Sequence, residues 1–128
     1  MDVKSDAFKN LKSDERKAAQ KFADDFTREI GVAWQYDVLV NNAEPVLAEQ
    51  LAKHPVATKA LLIAGDKALG VLTRYTEAKF VNIEPLASGN VFNFITDEQF
   101  EKGKARIKLA VVQRDGQWRV RNFNYEAH

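Results

Sequence analysis

The sequence predicts an α+β fold, in which N-terminal helices pack on one face of a curved antiparallel sheet. Apolar residues recur at spacings of three and four through the first half of the chain, which is the helical period. After Thr73 the period changes to two, as in half-buried strands. Two alternating runs then flank Asp115-Gly116, a dipeptide that favours a two-residue type I′ hairpin turn.

The chain of 128 residues fits a single domain spanning residues 1–128, because it contains no repeat, linker or low-complexity segment. Residues 1–12 are mostly polar, and we expect a frayed start or a short helical lead-in there. This segment lacks the apolar centre of a signal peptide. The protein is therefore either cytoplasmic or the mature part of an exported protein whose signal has been replaced by Met1, of which we favour the exported location.

Charge and composition argue against several functional classes. The net charge is +1 with acidic and basic residues interspersed, so we expect no nucleic-acid partner. No apolar run approaches the roughly 18 residues of a membrane span, so we expect no membrane insertion. The chain has no cysteine and two histidines, His54 and the terminal His128, so we expect neither a disulfide nor a metal site. No cofactor motif occurs, and we expect no cofactor.

The first predicted helix begins at Ser13, which we interpret as its N-cap. Its apolar face is formed by residues three or four apart: Ala19, Phe22, Phe26, Ile30 and Ala33. Charged residues such as Asp24 fall elsewhere and should be solvated. Residues 32–40 fit two interpretations, because Trp34 and Tyr36 belong to an alternating, strand-like run. We favour a continuing helix, since the upstream period runs into this stretch in phase.

Two further helices are predicted before the strands. Asn41-Asn42 is a turn signal, and Pro45 suits the first turn of a short helix. That helix should stop at His54-Pro55, because the residue before proline avoids the α region. The next helix starts near Ala57 and has a single apolar stripe: Leu61, Leu62, Gly65, Leu69 and Leu72. Gly70 either terminates this helix or only weakens it.

The second half of the chain is predicted to form strands. The first runs over Tyr75–Ile83 and is closed by Glu84-Pro85 and Ser88-Gly89-Asn90, which have loop composition. The second runs over Val91–Thr96. The polar segment Asp97–Lys102 is interpreted as the connection to the hairpin.

The hairpin from Lys104 to Tyr125 is the clearest local prediction. If Asp115-Gly116 forms the loop, Arg114 pairs with Gln117 and Leu109 faces Asn122. The core side then carries Ile107, Leu109, Val111, Trp118 and Val120. The opposite side carries four cations, named here the basic face: Arg106, Lys108, Arg119 and Arg121.

Phe123 and Tyr125 share the parity of the basic face rather than that of Trp118. Either both faces of the sheet are partly buried, or a β-bulge near Arg121–Asn122 switches the parity and bends the strand.

The helix-then-sheet order resembles the NTF2-like, cystatin-like superfamily over roughly residues 13–126. The similarity rests on Gly-Asp-Lys-Ala-Leu-Gly-Val-Leu (65–72), Phe-Glu-Lys-Gly-Lys-Ala (100–105) and Asp-Gly-Gln-Trp-Arg-Val-Arg-Asn-Phe (115–123). The last segment is similar to the end of small uncharacterised bacterial members. The resemblance implies a cone-shaped fold with a pocket at its wide end, in proteins that are often non-enzymatic, exported and dimeric. Enzymatic members place an Asp/His or Tyr/Asp pair in the pocket, and we find no such pair at a matching position. A superfamily this permissive does not establish a function.

The candidate ligand or partner residues are aromatic or basic: Trp34, Tyr36, Arg119, Arg121 and Tyr125. The basic face has three open interpretations: a solvated outer surface, an interface with a protein partner or a second copy, or the wall of an anion pocket. The aromatic residues Phe92 and Phe94, with Trp34 and Tyr36, are interpreted as core in preference to a ligand cage.

We therefore expect a non-enzymatic module that binds a small ligand or a protein partner, with no catalytic residue that the sequence identifies. One alternative is a small enzyme with acid–base chemistry in the cone pocket, which needs a buried ionisable group with a shifted pKa. Glu77 and Glu84 would serve only if buried, and we expect them to be exposed. The other alternative is a homodimeric structural or accessory protein that associates through the sheet face.

Overall fold

The computed structural model describes residues 3–87 and 89–127, with side chains from residue 14 onward. Four helices come first within these residues: α1 (Val3–Ala33), α2 (Tyr36–Asn42), α3 (Pro45–Lys53) and α4 (Pro55–Leu69). Five strands follow: β1 (Leu72–Arg74), β2 (Lys79–Leu86), β3 (Gly89–Phe100), β4 (Gly103–Arg114) and β5 (Gln117–Ala127). The helices pack against an antiparallel sheet, so the predicted α+β class is confirmed. Ser88, which was predicted to lie in a loop, and the terminal His128 lie outside the described residues.

Helix α1 starts earlier than predicted and ends at an aromatic residue. Because it runs from Val3, Ser13 lies inside the helix and is not its N-cap. Ala19, Phe26 and Ile30 of the predicted apolar face are buried. The helix ends where Trp34 takes a positive φ of 51° while its N–H still donates to the Ile30 carbonyl at 2.8 Å. This left-handed residue turns the chain into α2.

Residues 32–40 are mostly helical, as favoured from the sequence, but the helix is interrupted at Trp34 and resumes at Tyr36. The strand interpretation is wrong. Pro45 occupies the first turn of α3, and α3 ends before His54-Pro55, as predicted. Helix α4 begins at Pro55, earlier than predicted, because proline suits the first helical position. Gly70 terminates α4 with a φ of 74°, which favours glycine.

The strand order is β1-β3-β4-β5, with β2 also paired to β3. Strand β3 therefore pairs with β4 along one edge and with both β1 and β2 along the other. Strand β1 pairs near Phe100, and β2 pairs from Ile95 back to Gly89. Between these two regions the chain leaves the sheet at residues 75–78, which we call the strap.

Three predicted strand boundaries are wrong. The predicted strand Tyr75–Ile83 begins too early, because residues 75–78 form the strap and β2 begins only at Lys79. Glu84-Pro85 is not a loop, because β2 continues to Leu86, and proline is tolerated in an edge strand. Asp97–Lys102 is mostly not a connection, since β3 runs on to Phe100.

The hairpin prediction is confirmed in its turn and its bulge. Asp115 and Gly116 have φ values of 52° and 78°, and Arg114 pairs with Gln117. The register shifts between Ala110 and Val111, which makes Arg121 the extra residue of a bulge. Leu109 consequently faces Phe123 rather than Asn122. The bulge turns Phe123 and Tyr125 toward the core, as the parity conflict predicted.

The main core lies between the helices and the inner face of the sheet. Its largest buried side chains come from α1, α4, β3 and β4, and include Phe92 and Phe94, as favoured from the sequence. A smaller cluster, Val91, Ala110 and Val112, is buried on the outer face.

Candidate functional site

Half of the basic face is neutralised by acids on neighbouring strands. Arg106 Nε donates to Asp97 Oδ1 at 2.9 Å, and its Nη2 donates to the second carboxylate oxygen at 3.3 Å. Lys108 lies 3.7 Å from the Glu126 carboxylate. Such exposed cross-strand pairs contribute little free energy, and they are typical of a solvated sheet surface.

Arginines of strands β4 and β5 bind the end of α2 and the residue that precedes α3. Glu44 lies beside β5, where its N–H donates to the Val120 carbonyl at 2.8 Å. Its buried carboxylate accepts from Arg121 Nη1 at 3.0 Å and from Arg114 Nη2 at 3.1 Å. Arg119 Nη1 donates to the Asn41 carbonyl at 2.8 Å. Two of the predicted candidates, Arg119 and Arg121, therefore make structural contacts that hold the helices against the sheet edge.

The aromatic candidates also make internal contacts. Trp34 is buried, and its Nε1 donates to the Gly70 carbonyl at 2.8 Å. Tyr125 packs edge-on against Trp34, and its hydroxyl donates to the Leu61 carbonyl at 2.6 Å. The Tyr36 hydroxyl donates to the Leu51 carbonyl at 3.3 Å. The structure thus brings Trp34 and Tyr125 together in the core, away from Arg119 and Arg121.

An aromatic cleft opens between α1 and the start of β5. Its volume is about 370 Å³, and its lining residues are Ala18, Lys21, Phe22, Asp25, Phe26, Glu29, Asn42 and Trp118. Phe26 is buried, whereas Phe22 and Trp118 are partly exposed. Lys21 is held at the rim by Asp25 at 2.7 Å. The cleft lies on the helix side of the sheet, because Phe26 contacts Phe123 and Trp118 contacts Phe92.

The strap has a polar anchor on α1, which sequence analysis missed. Asp24 Oδ1 accepts the Ala78 N–H at 2.9 Å and also the Tyr75 hydroxyl in a short hydrogen bond. Gln20 Nε2 donates to the Ala78 carbonyl at 2.7 Å. Burial, and then the hydrogen bond to Asp24, raise the pKa of Tyr75. The prediction that Asp24 is merely solvated is wrong, because the strap folds over it.

A second anchor comes from β3. Glu98 is only 2% exposed, and its Oε2 accepts the Thr76 N–H at 2.7 Å. Thr96 Oγ1 lies 3.0 Å from the Thr76 carbonyl and makes a short hydrogen bond with Glu98 Oε1. Burial raises the pKa of the Glu98 carboxyl.

The charge state of Glu98 decides where the hydroxyl proton of Thr96 goes. Thr96 has one hydroxyl proton, and the Thr76 carbonyl can only accept it. If that proton goes to Thr76, the contact between Glu98 and Thr96 needs a proton on Glu98. A neutral carboxylic acid therefore completes a closed ring of three hydrogen bonds, whereas an ionised carboxylate leaves the Thr76 carbonyl without its Thr96 donor.

Cavities flank the strap on both sides. One of about 400 Å³ is lined by Arg74, Thr76, Asp97, Glu98, Gln99, Lys104, Ala105 and Arg106. The other, of about 570 Å³, is lined by Arg16, Lys17, Gln20, Lys21, Asp24, Arg28 and Glu77. Glu77 and Glu84 are exposed, as predicted. His54 is also exposed, between α3 and α4.

A sequence signal for Glu98 was present. Phe94, Thr96, Glu98 and Phe100 alternate on the buried side of β3, so the inward parity of two phenylalanines includes the glutamate. No comparable signal marks Asp24, because a charged residue on an amphipathic helix is ordinarily solvated.

No protein-family model and no curated protein sequence matches the chain. The chain is similar to the solution structure of a SEC-C motif containing protein from Rhodopseudomonas palustris, at 11% identity and a TM-score of 0.42. That similarity covers 81% of this chain and 71% of the other. The helices among residues 3–87 and 89–127 include none long and apolar enough to cross a membrane. The same residues contain no cluster of three or more His, Asp or Glu side chains placed to hold a metal ion.

Proposed function

We propose that the chain is a non-enzymatic module that binds a small ligand in the aromatic cleft. The observation that carries the proposal is the presence of three aromatic rings, Phe22, Phe26 and Trp118, around one open cavity of about 370 Å³. Small-molecule sites are typically concave, mostly apolar and edged by a few polar groups. The rim fits this description, because Lys21 and Asp25 already neutralise one another.

The cleft is favoured over the predicted candidates by what each side chain contacts. Trp34 and Tyr125 fill the core, and Arg119 and Arg121 are engaged with the α2–α3 region. Phe22 and Trp118, in contrast, leave part of each ring open to solvent. The cleft lies between a helix and the inner sheet face, which is consistent with the pocket that an NTF2-like cone would have. Dimerisation through the sheet face and export stay predictions.

The two indole N–H signals of the protein allow a direct test by NMR. The chain has two tryptophans, and Trp34 provides an internal control because it is buried away from the cleft. The probe is a set of monocyclic aromatic and branched aliphatic compounds. We expect some of them to shift the Trp118 indole signal saturably and to leave the Trp34 signal in place.

Two variants of α1 complete the experiment. Phe22→Ala should weaken binding of these compounds by about tenfold, because it removes one aromatic wall. Val32→Ala is the matched control, since Val32 is 57% exposed and does not line the cleft. The proposal fails if no compound moves the Trp118 signal, or if the two variants weaken binding equally.

An acid–base enzyme is the second candidate, and a specific observation favours it. Glu98 is a buried carboxyl with a raised pKa that lines a cavity, and acid–base chemistry requires such a group. Any activity located there should fall on the order of 10²-fold in Glu98→Gln, which keeps the hydrogen bonds but cannot transfer the proton. Retained activity in that variant would remove Glu98 from the chemistry.

A further inference from the structure

Three exposed polar side chains lie in one row across strands β1, β3 and β4. Arg74 pairs with Gln99, and Gln99 pairs with Lys104, so the three share the outer face of the sheet. We call Arg74, Gln99 and Lys104 the cationic row. Neighbouring strands lie about 4.8 Å apart, so the two cations start roughly 10 Å apart with the amide between them. Arginine and lysine side chains are long enough to converge over Gln99 from that separation.

The cations of this row have no acidic partner. Within the part of the chain that the structure describes, neither Arg74 nor Lys104 makes an ion pair or a side-chain hydrogen bond. Asp97, an acid on the outer face, accepts from Nε and Nη2 of Arg106. Glu98 points to the inner face, where Thr76 and Thr96 bind it. Elsewhere on the sheet Arg106, Lys108 and Arg121 are each paired with an acid, and Arg119 donates to a backbone carbonyl. Lys79 has no ion pair among the described residues, but its row across the sheet continues to Ile95 and the paired Lys108.

The row also borders a cavity. Arg74, Gln99 and Lys104 line the space of about 400 Å³ beside the strap, together with the neutral pair Asp97–Arg106. Among the charged side chains that line this cavity, Arg74 and Lys104 add +2, the Asp97–Arg106 pair adds nothing, and Glu98 adds nothing while its carboxyl is protonated. We propose that the cationic row is a binding site for a phosphate- or sulfate-sized oxyanion, distinct from the aromatic cleft.

The chemistry of the three side chains fits such an anion. A guanidinium presents two parallel N–H donors to an oxyanion, an ammonium adds a compact positive charge, and the amide of Gln99 can donate to a third oxygen. Two positive charges match the charge of a phosphate dianion. Gln99 and Lys104 stand in regular register on β3 and β4, and Arg74 pairs with Gln99 beyond a register shift in β1, so the bases of all three side chains are placed before the anion arrives.

The test is a titration of the whole chain with inorganic phosphate, followed by amide NMR at constant ionic strength with sodium chloride as the reference salt. We expect the backbone amide signals of Arg74, Gln99 and Lys104 to shift saturably with phosphate concentration. The double variant Arg74→Gln/Lys104→Gln should weaken phosphate binding at least about tenfold, because it removes the charge-assisted hydrogen bonds. The control Lys53→Gln/Lys59→Gln removes the same charge from exposed positions on α3 and α4 and should leave the affinity unchanged.

A second arm identifies the source of the anion. Phosphatidylcholine vesicles with and without phosphatidylglycerol are tested for cosedimentation with the same variants. Row-dependent binding to the anionic vesicles assigns the site to a lipid headgroup, and binding of free phosphate alone assigns it to a small soluble phosphate. The inference is overturned if neither probe binds, or if the control variant weakens binding as much as the row variant.

Discussion

Replacing Glu98 with glutamine or with alanine perturbs the strap in two different ways. In the neutral-acid arrangement Glu98 accepts the Thr76 N–H at 2.7 Å and donates to Thr96. The glutamine amide can repeat both roles, because it carries an acceptor oxygen and donor hydrogens. Alanine removes both, and it leaves the Thr76 N–H without its Glu98 partner. The two variants therefore separate the hydrogen bonds from the charge.

The expected magnitudes follow from these contacts. Two lost hydrogen bonds contribute about 1 kcal/mol each, and an unpaired backbone N–H costs about 1–3 kcal/mol further when water cannot replace the partner. Glu98→Ala should therefore lower the free energy of unfolding by about 3–5 kcal/mol. Glu98→Gln should stay within about 1 kcal/mol of the parent chain at acidic pH.

The pH dependence has a definite sign. Burial raises the pKa of Glu98 in the folded state above its unfolded value, so the folded state binds this proton more tightly. The contribution of Glu98 to stability is complete below the unfolded pKa and is lost as the pH rises through the folded pKa. The parent chain should therefore lose stability relative to Glu98→Gln on going from acidic to mildly alkaline pH.

Urea unfolding followed by circular dichroism measures these differences at several pH values. The difference in the free energy of unfolding between the parent and Glu98→Gln isolates the titration of Glu98, because the other carboxylates titrate in both proteins. Two results would refute the reasoning: a loss in Glu98→Gln as large as that in Glu98→Ala, or a parent–glutamine difference that does not change with pH. Either would mean that the strap is held by an ionised carboxylate.

Two further predictions concern packing. Glu44→Ala should lower the free energy of unfolding by about 3 kcal/mol, because it leaves Arg114 and Arg121 facing a vacated buried site. Thermal denaturation measures this loss, with Glu49→Ala as a control at an exposed position. Equal losses of stability in the two variants would contradict the prediction. Gly65→Ala should destabilise the fold by about 1–2 kcal/mol despite the better helix propensity of alanine, since the new Cβ would stand 2.7 Å from Trp34 Cζ3. Unchanged stability and an unmoved Trp34 indole signal in that variant would show that the contact between α4 and Trp34 is looser than described.

The sequence predicts most of the features that depend on local patterns. The Asp115-Gly116 turn and the proline start of α3 follow from backbone chemistry, and both are observed. Gly70 ends α4, which was one of its two predicted roles, whereas α4 begins at Pro55, earlier than predicted. The parity of Phe123 and Tyr125 predicts either a bulge near Arg121 or a sheet partly buried on both faces, and the bulge at Arg121 is observed.

Features that depend on contacts between distant segments are the ones that pattern analysis misses. Arg121 looks like a free surface cation until Glu44, far away in sequence, is brought beside β5. Asp24 looks solvated until the strap covers it. The positive φ of Trp34 is not indicated by its residue type. The position of its ring depends on packing against Gly65 and Tyr125, which are distant in the sequence. The aromatic cleft likewise depends on α1 and β5 meeting, so Phe22 and Trp118 could not be paired from their positions in the sequence.

The most direct test of the proposed function is the contact map of a bound compound. Intermolecular nuclear Overhauser effects should be recorded for whichever compound shifts the Trp118 indole signal most strongly. We predict contacts from the compound to the ring protons of Phe22 and Trp118, the partly exposed rings of the cleft. Contacts confined to any other surface, such as the exposed side of α4 or the cationic row, would contradict the assignment of the aromatic cleft as the ligand site.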